Sequence, residues 1–183
     1  MKLSIRHLQS EDMDAIHEML GSWTVINGTM RLPYPSVTYT RKRLEPAEGV
    51  IQLVAIADDE VVGFSELITY PNVPRHRHAG EVNMIMVREG WQNQGVGREL
   101  MLAMIDLADQ WLQLTRLSLI VWTDNERAVH LYQQMGFEIE GTMPEYAFRA
   151  GGYIDAYLMG RLSPNRFGVL HHAVQNRFFE LAG

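Results

Sequence analysis

The chain has 183 residues, 46% hydrophobic and 21% charged, the balance of a single globular domain with room for a core. It contains no cysteine, which excludes disulfides, thiolate metal sites and a cysteine nucleophile. A net charge of −6 argues against a nucleic-acid surface, and no run approaches the ~20 apolar residues of a spanning helix, so neither nucleic acid nor membrane is an expected partner and a cytoplasmic location is expected.

Leu3-Ser4-Ile5-Arg6 alternates like a strand. A helix follows, with Ser10 as its expected cap, acids at Glu11, Asp12 and Asp14, a face of Met13, Ile16 and Leu20, and Gly21 as its stop. Trp23 to Thr40 reads as irregular, with Asn27-Gly28 and Pro33-Tyr34-Pro35 as turn signals, before a short basic helix from Thr38 to Leu44. Gln52–Ala57 and Val61–Thr69 read as a hairpin around Asp58-Asp59-Glu60. A polar loop then leads to an apolar strand, Glu81–Val87.

After a glycine-containing turn, the spacing predicts a long helix to about Leu112, with Leu100, Met104, Leu107 and Trp111 on one stripe. Leu117–Trp122 is a buried strand, and Glu126–Met135 a helix capped by Asn125 or Asp124 and stopped by Gly136. Strands follow at Phe137–Met143, Tyr146–Ala150 and Tyr153–Arg161, the last two around Gly151-Gly152. This order makes an α/β (α+β) domain with a mixed sheet over residues 1–163. Phe167, Leu170, Val174 and Phe178 recur at helical spacing in a C-terminal extension, residues 164–183.

The most informative stretch is Gln92-Asn93-Gln94-Gly95-Val96-Gly97-Arg98, which joins a buried strand to an amphipathic helix. A helix N-terminus presents unpaired N–H groups and partial positive charge, and glycines let backbone approach a phosphate closely. Two glycines alone also suit a plain tight turn. A dinucleotide fingerprint fails because Leu100 stands at the third glycine position, and no Gly-Lys-Ser/Thr follows for a Walker loop. The second pattern is Asn125-x-x-Ala128-x-x-x-Tyr132-x-x-x-Gly136-Phe137. Ala128, Leu131, Tyr132 and Met135 share a helical face, so Tyr132 carries a hydroxyl on an apolar face. A buried hydroxyl usually finds a partner, and a lone tyrosine there would be a core residue bonded to a carbonyl.

Val87 followed by Gln-x-x-Gly-x-Gly resembles motif A of the GNAT acetyltransferases, and the Asn-Ala-Tyr-Gly-Phe spacing resembles their motif B, in the same order. The resemblance runs from about Leu3 to Leu162. It implies a central mixed, mostly antiparallel sheet of about seven strands with helices on both faces, and acetyl-CoA as co-substrate without a metal. It implies that Gln92, Asn93, Gln94, Gly95, Val96, Gly97 and Arg98 hold the pyrophosphate, and that Ile85, Met86 and Val87 run alongside pantetheine. Asn125 and Ala128 would contact the coenzyme, and Tyr132 would sit at the thioester sulfur as donor to the leaving thiolate. Homodimers are also expected from the family.

An amine must be neutral to attack a thioester, so the site needs a base. By resemblance the candidate is Glu81, yet it lies six residues before Val87 where five are expected. One residue flips the face of a regular strand, and a bulge would restore it. A strand-end carboxylate in solvent is the alternative, and His76 and His78 are rival bases. His76-Arg77-His78 lacks a third ligand for a metal, and His130 reads as an exposed helix residue.

Glu140 to Arg149 and Gly152 to Met159, with Asn27-Gly28-Thr29 and Pro33-Tyr34-Pro35, are similar to the bacterial L-amino-acid and phosphinothricin acetyltransferase subgroup. That similarity implies a small-molecule amine substrate lined by Asn27, Thr29, Tyr34, Tyr146 and Arg149, with Arg149 pairing a substrate carboxylate or facing solvent. Acetylation of a protein N-terminus or lysine, and a non-catalytic acyl-CoA sensor, are the competing readings.

Overall fold

In the computed structural model, residues 3–164 are described. The elements in chain order are β1 (Leu3–His7), α1 (Met13–Leu20), α2 (Trp23–Gly28), α3 (Val37–Leu44), β2 (Val50–Ala57), β3 (Glu60–Thr69), β4 (Ala79–Val87), α4 (Val96–Asp106), β5 (Arg116–Trp122), α5 (Glu126–Gln134), β6 (Glu138–Arg149) and β7 (Gly152–Leu162). The seven strands form one sheet in the order β1-β2-β3-β4-β5-β7-β6. Only β4 and β5 pair in parallel. The extension expected beyond residue 164 lies outside the described residues. No helix among those described is long and apolar enough to cross a membrane.

Helices cover both faces. On one, Val96, Leu100, Met101 and Met104 of α4 pack on Leu53, Val62, Leu67, Leu117 and Leu119, with Ala128 and Tyr132 of α5 beside them. On the other, Ile16, Met19 and Leu20 of α1, Val25 of α2 and Leu44 of α3 pack on Val54, Phe64, Met84 and Met86. Gly63 sets how closely α4 lies on the sheet: a Cβ there would meet Val96 Cγ1 at 2.8 Å and Leu100 Cδ1 at 2.9 Å.

The turn joining β2 and β3 has Asp58 and Asp59 at φ 48° and 62°, two successive left-handed residues of the kind a tight hairpin requires. Three local expectations change. The start of the first helical segment is closed by Gln9 and Asp12 in a capping box, not by Ser10. Asp12 accepts from Gln9 N at 2.8 Å and from both terminal nitrogens of Arg6, at 2.6 and 2.8 Å, so a tertiary ion pair decides the cap. Within the stretch read as irregular, Trp23–Gly28 forms α2, with the Ser22 hydroxyl accepting from Val25 N.

The third concerns the long helix. After Asp106 it widens into a π-turn over Leu107–Trp111, where Leu112 N donates to Leu107 O. The wider turn rotates the stripe, so Ala108 is buried and Trp111 is 74% exposed. The two strand pieces expected before Gly151 are one strand, β6, interrupted by an irregularity between Met143 and Ala147. There Glu145 has φ 49° and its N–H donates to Asp155 Oδ1 at 2.8 Å.

Candidate active site

The site begins where the sheet comes apart. β4 and β5 pair only over Ala79–Glu81 and Arg116–Ser118. Beyond Glu81, β4 keeps its partner β3 on one side, while its other edge has no strand ladder among the described residues. Backbone N–H and C=O groups along that edge need partners, and an extended ligand arm can supply them. A cleft of about 480 Å³ occupies the opening.

A second irregularity controls which side chains face where. In the β3–β4 ladder Glu66 opposes Met84 and Leu67 opposes Val82, so Asn83 is an extra residue. Val82 packs in the α4-side core, whereas Met84 and Met86 pack in the α1–α3 side. Glu81, next to Val82, therefore turns to the α1–α3 face, in step with Met84 and Met86. This bulge is the one needed to bring Glu81 into phase. It is pinned from below: Asn83 Nδ2 donates to the buried carboxylate of Glu66, which also accepts from Arg43 and Gln52.

The cleft consequently passes through the sheet. On the α4–α5 side it is lined by Gln92, Asn93, Gly95, Val96, Gly97, Arg98, Asn125, Ala128 and Tyr132. On the α1–α3 side it is lined by Thr24, Val25, Gly28, Thr29, Met30 and Arg31. Glu81 to Val87, Trp122 and Tyr146 lie between them along the wall.

Gly95 caps α4 at φ 87°, and Asn93 has φ 62°, so the entry to the helix contains two left-handed residues, the kind of backbone from which anion-binding turns are built. A Cβ at Gly95 would meet nothing within 4 Å, so the glycine is required by its φ and not by crowding within the protein. α5 is capped by Asn125, whose side-chain oxygen accepts from Ala128 N at 3.2 Å. The Tyr132 ring packs against Phe137 with centroids 6.1 Å apart. Its hydroxyl has no hydrogen-bond partner among the described residues, unlike a core tyrosine bonded to a carbonyl. Burial pushes the phenol up to about 12, so it stays protonated at neutral pH.

Residues 11–137 match the Acetyltransferase (GNAT) family. The L-amino acid N-acetyltransferase AaaT of Escherichia coli K12 is 39% identical over 88% of this chain and 98% of its own length. The chain belongs to the GNAT acetyltransferase family. Spermidine N(1)-acetyltransferase of the same organism is 28% identical over 86% of this chain and 84% of its own. Among solved structures, spermidine N-acetyltransferase from Vibrio cholerae in complex with CoA and spermine superposes with a TM-score of 0.77 at 26% identity, covering 87% of this chain and 95% of that one. The protein is thus an N-acetyltransferase whose family draws on acetyl-CoA, with the seven-stranded mixed sheet of that fold.

Of the GNAT-motif residues, Ile85, Met86, Val87, Gln92, Asn93, Gly95, Val96, Gly97, Arg98, Asn125, Ala128 and Tyr132 all line the cleft. Gln94 does not; its Nε2 donates to Gly90 O at 2.7 Å and closes the turn. Glu81 lines the cleft and accepts a hydrogen bond from Tyr70 at 3.2 Å. His76 packs against Tyr70 with centroids 4.7 Å apart and ring planes tilted by 53°, outside the cleft wall. No group of three or more metal-binding side chains occurs among the described residues.

The expected acceptor residues divide. Thr29 and Tyr146 line the cleft, and Tyr146 lies against Trp122 with centroids 6.0 Å apart. Tyr34 is 96% exposed and outside the wall. Arg149 is also outside it, paired with Asp124 and donating to Asn27 O at 3.2 Å. Asn27 is likewise outside the wall and accepts through its backbone carbonyl, so the contact ties the end of β6 to α2. The sequence reading missed Arg31, Trp122, Asn83 and Met30. Arg31 and Met30 lie inside the very segment flagged by Asn27-Gly28-Thr29 and Pro33-Tyr34-Pro35, and that position was their only signal.

Proposed function

We propose that the protein transfers the acetyl group of acetyl-CoA to the α-amino group of a free amino acid by direct attack in a ternary complex. One observation carries the reading: a single cleft crosses the sheet at the β4–β5 opening, with a phosphate-type turn on one face and the α2 segment on the other. Donor and acceptor can therefore enter from opposite faces and meet at the gap, which is the proximity a bimolecular transfer needs. The AaaT relative supports the amino-acid acceptor. Met30, Met84, Trp122 and Tyr146 supply an apolar wall that suits an uncharged side chain.

In this reading the N–H groups from Asn93 to Arg98 receive the diphosphate, although the chain carries a net charge of −6. The free edge of Met84–Val87 pairs with pantetheine, and a β4 N–H meets the carbonyl oxygen as it gains charge. Glu81 draws the proton from the amine, directly or through water, and Tyr132 donates to the departing sulfur.

Thiol release from acetyl-CoA, screened across free amino acids, polyamines and peptides, tests the assignment. Free amino acids with apolar side chains are expected to give the highest kcat/KM. Faster turnover of a peptide or a polyamine overturns it, and acetyl-CoA binding without thiol release from any amine turns the protein into a sensor.

A second expectation concerns the turn. Asp tolerates a left-handed backbone and suits a helix N-terminus, so Gly95→Asp should fold. Its carboxylate would stand where the diphosphate belongs, and the KM for acetyl-CoA is expected to rise on the order of tenfold or more. An unchanged KM would remove this turn from coenzyme binding.

A further inference from the structure

Three buried side-chain polar atoms lack any hydrogen-bond partner among the described residues: Arg31 Nε, Ser65 Oγ and Trp122 Nε1. Two of them, Arg31 and Trp122, belong to the wall of the cleft. A buried polar group without a hydrogen bond is destabilising, a charged one more so, so each of these donors calls for an acceptor. Both orphans are N–H donors that cannot accept. Their missing partner is an acceptor, and for a guanidinium the matching acceptor is an oxyanion.

Arg31 is set apart from the other cations of the cleft. Arg98 pairs with Glu99, and Arg127 donates to Gln92, both on the face where α4 and α5 lie. Arg31 follows α2 on the opposite face and has no carboxylate partner among the described residues. It is held in place by its own neighbours: Nη1 donates to the Tyr39 hydroxyl of α3 at 3.0 Å, and its backbone N–H donates to Thr29 Oγ1 at 3.3 Å. The side chain is thus oriented through one terminal nitrogen, its Nε has no partner among the described residues, and the residue itself lines the cleft.

We infer that Arg31 receives the α-carboxylate of the acceptor and is the residue that selects amino acids over other amines. The inference rests on the amino-acid reading above and gives it a specificity element. Arg149, the residue expected for this task, is already neutralised by Asp124. An unpaired cation at the acceptor end also repels polyamines, so the same side chain attracts one substrate class and rejects another.

The test compares L-methionine and L-phenylalanine with their α-amides, in the wild type and in Arg31→Gln and Arg31→Lys. The wild type is expected to prefer each acid over its amide by on the order of 10-fold to 100-fold, the range of a charge-assisted hydrogen bond. In Arg31→Gln the preference should collapse towards unity through a higher KM for the acid, with the KM for acetyl-CoA unchanged. Arg31→Lys, which keeps charge but not the fork, should recover part of it. Equal losses for acid and amide, or a raised KM for acetyl-CoA, overturn the inference. If Arg31→Gln does not fold, wild-type turnover of acid and amide at the same kcat/KM overturns it as well. A wild type that acetylates amines but no amino acid defeats the functional reading itself, an outcome distinct from amino-acid turnover without discrimination.

Discussion

Tyr132→Phe is expected to lower kcat by about 10²- to 10³-fold, in the range of a lost hydrogen-bond donor to developing charge, while the KM for acetyl-CoA stays near the wild-type value. The substitution leaves the ring that packs on Phe137 and removes only a hydroxyl that has no partner among the described residues. Thermal stability should therefore hold or rise slightly, which separates a chemical effect from a folding one. With the phenol pushed up to about 12 by burial, Tyr132 remains a neutral donor across the working range. A raised pKa keeps the proton on through the neutral and mildly alkaline range, so the wild-type kcat profile should show no alkaline loss from Tyr132 there. Full transfer of its proton to a thiolate of conjugate-acid pKa ~8.5 is uphill by about 5 kcal/mol. The hydroxyl thus acts chiefly as a hydrogen-bond donor to the charge building on sulfur. Steady-state kinetics of the variant beside its melting curve check the prediction; an unaltered kcat removes Tyr132 from the chemistry.

What the sequence disclosed was what lies close together along the chain. Gly95 could be read because a left-handed cap excludes most side chains, and Asn125 because a cap sits three residues from the N–H it accepts. The strands and α4 followed from periodicity, and the need for a bulge followed from the one-residue mismatch between Glu81 and Val87. Where the bulge falls did not, because Asn83 is selected by Glu66, seventeen residues away on β3. Arg149 shows the same limit: its pairing with Asp124, twenty-five residues earlier, is a tertiary fact that turns a candidate ligand into a tether. Arg31 was missed for the converse reason. An arginine between two turn signals is ordinary, and only the lack of a carboxylate around its buried Nε makes it notable. Trp111 followed the heptad spacing in sequence, but a π-turn changed the angle per residue and carried it out of the core.

Glu66→Ala is expected to cost about 3–5 kcal/mol of unfolding free energy, the penalty for removing one member of a buried ion pair. The carboxylate of Glu66 is 1% exposed at the centre of β3. Both terminal nitrogens of Arg43 from α3 donate to it, one at 2.6 Å, with Gln52 from β2 at 3.0 Å and Asn83 from β4 completing the set. Desolvation pushes its pKa up, but the bonds from Arg43, Gln52 and Asn83 outweigh it and hold the group below the usual carboxylate range. A depressed folded pKa gives stability that is complete above the unfolded value of ~4.3 and is lost as pH falls through the folded one. Glu66→Gln should therefore flatten part of the acid limb of stability as well as lowering the plateau. The alanine variant leaves Arg43 half-buried without its carboxylate and frees Asn83, so the bulge that turns Glu81 to the acceptor face loses its pin. Folded Glu66→Ala enzyme should accordingly lose kcat even though no atom of Glu66 lines the cleft. Urea denaturation at neutral and acid pH, with kcat measured where the variant is fully folded, reads both effects. A loss below about 1 kcal/mol, the scale of an exposed pair, would show that water and relaxation replace this network at little cost.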